Sequence, residues 1–196
     1  MKRFTLLACA VMVASLASVA AAHTSVYTTS LSGPAEFPTN SSPGIGFSRL
    51  TVDLDLLTYR VEASFSGLLG SVQAAHIHGP IPDPPADPVA GVATPLPSFP
   101  GFPSGMLGAY DQTFSLANAS GYNPGFIAAN GGTVSGAMTA FLDGLNAGKM
   151  YLNLHTTQFG GGEIRGFYQL VPEPSASSLV AMASLAFIRL RNRRMA

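Results

Sequence analysis

Short runs of alternating apolar and polar residues, each cut off by Gly, Pro, Asn or Ser, dominate residues 25–170 and leave little choice of fold. Alternation puts successive side chains on opposite faces, as half-buried strands require. It predicts strands over 25–31, 46–54, 58–65, 72–78, 150–156 and 163–170, with a tight hairpin at Leu57-Thr58. Short strands punctuated in this way favour an antiparallel all-β sandwich over an alternating α/β plan. One short helix is expected over 140–147, where Phe141, Leu142 and Leu145 share a face and Gly148 can supply the stop. Residues 79–108 carry Pro80, Pro82, Pro84, Pro85, Pro88, Pro95, Pro97, Pro100 and Pro103 and read as a long surface loop, since proline cannot donate to a ladder. Residues 118–136, rich in Asn and Gly, read as a second irregular region.

Both ends of the chain read as addresses. Lys2 and Arg3, an apolar stretch over 4–19 and Ala20-Ala21-Ala22 form a signal peptide over 1–22, which would leave His23 first in the mature chain. The single cysteine, Cys9, lies in that segment, so the mature protein would have neither a disulfide nor a thiol nucleophile. At the other end Pro172-Glu173-Pro174 precedes an uncharged run over 176–188 and then Arg189, Arg191, Arg193 and Arg194. This layout, over 171–196, resembles the PEP-CTERM sorting signal of bacterial surface proteins. The resemblance implies a bacterium and cleavage by an exosortase-type protease. The run is shorter than the roughly 20 residues a spanning helix needs, so membrane association through 176–188 is expected to be transient. The arginines would hold that end on the cytoplasmic side during export.

Removing both addresses takes six of the ten basic residues, leaving Arg49, Arg60, Lys149 and Arg165 to face ten acidic residues if Glu173 is retained. An acidic domain with so few cations is a poor partner for nucleic acid. The remaining stretch, 23–170, suffices for one domain with a proper core.

Two motifs identify the domain more closely. Ala74-Ala75-His76-Ile77-His78-Gly79-Pro80 lies in one predicted strand, and Tyr151-Leu152-Asn153-Leu154-His155-Thr156 is followed by Gly160-Gly161-Gly162-Glu163-Ile164-Arg165-Gly166. Together they resemble the CHRD domain, the module first noted in chordin and widespread in secreted bacterial proteins. Leu152 and Leu154 replace the family's valines, and Gly160 stands where proline is usual. The resemblance implies an immunoglobulin-like, Greek-key β-sandwich on extracellular proteins, without an established catalytic activity. Gly79, Pro80, Asn153, Glu163, Arg165 and Gly166 then belong to the structural motif.

The histidines carry the chemistry. His76 and His78 stand at i and i+2 on one strand face, and His155 shares its face with Tyr151 and Asn153. Three neutral imidazoles suit Zn²⁺ or Cu²⁺ better than Ca²⁺, which prefers oxygen. His-x-His also occurs in copper–zinc superoxide dismutases, themselves β-sandwiches. Glu163 and Arg165 also share a face, as an ion pair or as a carboxylate partner for an imidazole N–H. The structural alternative is that the histidines hydrogen-bond to loops and fix strand ends. His23 with its freed amine could chelate copper, and Asp83 or Asp87 could form a weak calcium site. Gly101-Phe102-Pro103-Ser104-Gly105 is not a nucleophile elbow, and no P-loop or dinucleotide fingerprint occurs.

These readings predict a secreted protein of the bacterial cell surface or extracellular matrix, structural or adhesive and without catalysis. Its partners would be the sorting protease and matrix polysaccharide or surface proteins. This reading needs no cofactor. The alternative is a His-based copper- or zinc-binding module, of superoxide-dismutase-like architecture, with a storage or weak redox role. Distance separates the two: a shared ion needs the ligand nitrogens within about 4 Å of one another, and separation beyond about 7 Å excludes it.

Overall fold

A computed structural model describes residues 23–82 and 88–172. The segments 1–22 and 173–196, with Cys9, Glu173, Pro174 and the run 176–188, lie outside the described residues, as do Asp83 and Asp87. Pro172 is described and exposed.

The strands are β1 (Thr24–Ser32), β2 (Ile45–Asp53), β3 (Thr58–Ser66), β4 (Val72–His78), β5 (Gly108–Ser115), β6 (Tyr151–Thr156), β7 (Ile164–Phe167) and β8 (Gln169–Leu170). The helices are α1 (Pro124–Ala129) and α2 (Val134–Asn146). The fold is all-β, antiparallel and sandwich-like, its strands joined in one path, β4-β6-β7-β1-β2-β3-β5, that curls into a half-barrel. β1 sits at the middle of this path. It pairs with β2 along its whole length, while its other edge meets β8 at Tyr27 and Thr28 and β7 at Ser32.

One core fills the curl. Leu50, Val52, Val61 and Phe65 line one wall, Ala75, Ile77, Leu152 and Leu154 the other, and the helices add Phe126, Ala137, Phe141 and Leu145. Tyr59, fully buried, stacks on Phe114 at 5.1 Å between ring centres and leans on Phe141 at 5.2 Å.

Several expectations are corrected. Among the described residues there are two α-helices, not one, and α2 is longer than the short helix expected over 140–147. Asn123 caps α1 through Gly125 N–H, and Thr133 caps α2 through Gly136 N–H. Local capping of this kind offsets the weak helix propensity of the Gly-rich stretch. Gly148 does terminate α2, with φ of 66°. β5 was not foreseen, and the predicted last strand is broken at Tyr168, whose ring is fully buried with its hydroxyl 2.8 Å from Ser48 Oγ. The β2–β3 hairpin turns over residues 54–57, with Asp53 Oδ1 accepting from the N–H groups of Asp55 and Leu56.

The described part of the proline-rich loop covers an edge. Ala93 N–H donates to Ile77 O at 2.9 Å and Phe99 N–H to Ala75 O at 3.1 Å. In return, Ile77 N–H reaches Thr94 Oγ1 and Ala75 N–H reaches Ser98 Oγ. The prolines give no N–H, but the residues between them do, and hydroxyls supply the acceptors. An edge strand that would otherwise invite pairing is thereby blocked.

Glu163 is fully buried just before β7. Its carboxylate accepts from Ser42 Oγ, Thr156 Oγ1 and the N–H groups of Leu69 and Gly70. Burial raises the affinity for a proton, but these donors together outweigh it and hold the carboxyl below its ordinary range. The loop after β1, the turn before β4 and the end of β6 thus meet on one anion. Glu163→Ala would leave two backbone N–H groups without acceptors and is expected to cost about 3 kcal/mol in urea unfolding. A loss below about 1 kcal/mol, the size of an ordinary substitution, would show that the lock carries little.

Candidate metal centre

Strand register builds the site. β4 and β6 pair His78 with Tyr151, His76 with Asn153 and Ala74 with His155, while the Ala75–Leu154 and Ile77–Leu152 pairs belong to the core. Because Ala74 is small, the His155 ring opposite it has room to lean toward the other two. The three ring centres lie 5.4–5.7 Å apart. One nitrogen from each ring lies within 4.8 Å of the others, and His78 Nε2 and His155 Nε2 are 3.3 Å apart. That is slightly wider than the sequence-based criterion for a shared ion and well inside the limit that would exclude one.

Backbone carbonyls orient all three rings. His76 Nε2 meets Pro97 O at 2.7 Å, His78 Nδ1 meets Ala90 O at 2.9 Å and His155 Nδ1 meets Gly160 O at 2.9 Å. A carbonyl only accepts, so each of these nitrogens carries the ring proton and the other keeps a lone pair. Those lone pairs are on His76 Nδ1, His78 Nε2 and His155 Nε2. His76 Nδ1 is buried with no partner, and the other two face each other across 3.3 Å. Three neutral rings have protons for three contacts, and all three are used.

Its electrostatics keep it neutral. Burial pushes His78 down to about 4 despite the Ala90 contact, and His155, His76 and Arg165 push the same way. Burial likewise holds His76 and His155 below the ordinary imidazole range, opposed by the carbonyls of Pro97 and Gly160. Tyr151 stacks on His78 at 5.1 Å, and the Arg165 guanidinium lies over Tyr151 at 5.0 Å.

The other predicted residues divide. Glu163 bonds neither Arg165 nor a histidine among its described contacts, because its oxygens are taken by the four donors above. Arg165 faces a different carboxylate, Glu36, with Nε 3.7 Å from Oε2, and donates to the carbonyls of Ala35 and Pro88. Asn153 donates to Gly161 O, and Gly166 stands opposite Leu152. Gly79 has φ of 131° and donates to Gly91 O before the exposed Pro80; a Cβ there would strike Met150 and the Lys149 carbonyl. His23 is exposed and pairs with Asp55 at 2.9 Å, an acid that lies in the hairpin turn and not on the strand. Sequence reasoning missed Glu36 and the stacking role of Tyr151. The run Gly33-Pro34-Ala35-Glu36-Phe37-Pro38 gave no sign of a buried acid, though a lone charge among prolines was the available signal.

The CHRD domain family matches residues 27–168. The chain belongs to the CHRD domain family. No curated protein and no solved structure matched it. The CHRD match spans both histidine strands, so the cluster lies within the family domain itself.

The lowered imidazole values fix a pH dependence for the metal-free CHRD domain. Unfolded histidine binds protons below about pH 6.5, whereas folded His78 resists them down to about 4, so stability is intact above 6.5 and falls as pH drops through that window. Denaturant midpoints should therefore decline from pH 7 to 5, with His78 alone accounting for about 2 kcal/mol at pH 5. A His78→Gln variant should show a shallower decline; an equal slope would contradict the assignment.

Proposed function

We propose that this CHRD protein is exported, sorted to the bacterial surface or extracellular matrix by its C-terminal signal, and serves there as a structural module that binds one copper or zinc ion through His76, His78 and His155. One observation carries the metal reading: three buried or half-buried imidazoles each bring a nitrogen within 4.8 Å of the others, with His78 Nε2 and His155 Nε2 facing each other, while their N–H groups are held by carbonyls. Metal-ligating histidines are oriented by such outer contacts. An all-nitrogen donor set suits Zn²⁺ and Cu²⁺, and a neutral one needs no protons displaced at pH 7.

The purely structural reading keeps one observation of its own, since the same three hydrogen bonds also tie the loops at Pro97, Ala90 and Gly160 to strand ends. Metal content decides between them. The full chain purified without a histidine tag and loaded with zinc or copper is expected to retain about one ion by elemental mass spectrometry, and His76→Ala/His78→Ala to retain none. Equal and negligible metal in both would leave the histidines as struts. Export rests on the terminal sequences alone. Deletion of residues 171–196 is expected to remove the protein from the surface fraction of the cell, and unchanged surface delivery would refute the sorting role.

A further inference from the structure

Among the described residues two more side-chain polar atoms are buried without a partner, Glu36 Oε1 and Asn153 Oδ1. Both lie within 2.6 Å of the point at which a side chain on residue 162 would begin, a space that Gly162 leaves open with φ of 135°. They converge. Two acceptors cannot satisfy each other, and leaving both buried and bare is costly. Rotating the Asn153 amide gives no relief, because its Nδ2 already donates to Gly161 O at 3.2 Å and the exchange would set oxygen against oxygen. One proton on Glu36 Oε1, donated to Asn153 Oδ1, would satisfy both atoms at once.

The surroundings favour that proton. Burial pushes the Glu36 carboxyl up to about 7, against the pull of Arg165 and of the Phe37 N–H. Arg165 spends Nε on Ala35 O and Nη1 on Pro88 O, and stays 3.7 Å from Glu36 Oε2. Among the described residues, Tyr151 from β6 also acts on this acid. The adjoining segments 37–44, 88–92 and 158–162 carry no charged residue.

The pair is also well placed. Asn153 stands directly between His76 on β4 and Arg165 on β7 in the cross-strand register, and two residues before His155. A dication held by the histidines would add its charge to that of Arg165, which already disfavours a positive charge on His78. We propose that Glu36 is the proton-exchanging counter-ion of the histidine site: without metal it holds a proton on Oε1 and donates it to Asn153 Oδ1, and when a divalent ion binds, that O–H bond breaks, the proton passes to solvent and the carboxylate closes on Arg165. Glu36 is a positioning residue and touches no ligand atom in this scheme. The coupling rests on the metal-binding reading above, whereas the protonated pair does not.

The test uses the full chain and Glu36→Gln, whose amide can replace the acid as donor to Asn153. Infrared difference spectra of the metal-free proteins near pH 6 should show a protonated carboxyl band in the wild type that the variant lacks. Zinc titration calorimetry in two buffers of different ionisation enthalpy should then count about one more proton released by the wild type, and on the wild type alone the count should fall toward zero by about pH 8. No such band overturns the proposal, and equal, pH-independent proton counts overturn the coupling. Zinc binding by neither protein, with the band present, would sink the metal reading and the coupling together and leave the Glu36–Asn153 hydrogen bond standing.

Discussion

The register between β4 and β6 is the constraint on which the polar chemistry of this domain depends. Side chains repeat every second residue, so a slip of one position would exchange faces, driving His76 and His78 into the core and Ala75 and Ile77 out of it. The apolar cost of that exchange fixes the pairing of Ile77 with Leu152 and Ala75 with Leu154. With those pairs set, His76, His78, Asn153, Tyr151 and His155 have no choice but to share the opposite face. The hydrophobic core thereby aligns a site to which it contributes no atom.

Burying that second face requires cover, and irregular backbone provides it. The stretch after Pro88 and the glycine-rich turn at 160–162 bring carbonyls to the rings, and regular strands would have spent those carbonyls on one another. Proline and glycine are therefore functional here in a physical sense: they release backbone acceptors from the ladder and let them approach side chains closely. The same turn leaves the space at Gly162 into which Glu36 and Asn153 project.

How much of this could be read from the sequence varied with how local the signal was. β1 to β3 were legible because each has one buried face, β4 and β6 because apolar and polar residues alternate along them although both faces are covered, and His76, His78 and His155 were legible as strand neighbours with a fixed side. β5 was not, since it is an edge strand in which Tyr110 alone is buried and no alternation results. The end of α2 was legible from Phe141, Leu145 and the Gly148 stop, but α1 and the start of α2 were hidden by Gly and Ala, whose weak patterning is overridden by packing of Phe126 and Ala137 on the core. Glu36 was illegible for a different reason. Its surroundings come from residues 35, 153, 162 and 165, and nothing near it in sequence announces that they meet.

Charge distribution explains why a transition metal suits the centre better than a proton or a hard cation. Adding protons places like charges on rings 5.4–5.7 Å apart, beside Arg165 and away from water, and the low imidazole values express that penalty. Among the described residues a calcium ion would meet the same field with no oxygen anion to offset it, because the nearby buried carboxylates are turned elsewhere: Glu163 toward its four donors and Glu36 beside Arg165. Coordinate bonds from three imidazole lone pairs can overcome the repulsion, since they strengthen with the polarising power of Zn²⁺ or Cu²⁺. An acid that sheds its proton only when the ion arrives would then lower the electrostatic cost of the loaded state without attracting hard cations to the empty one.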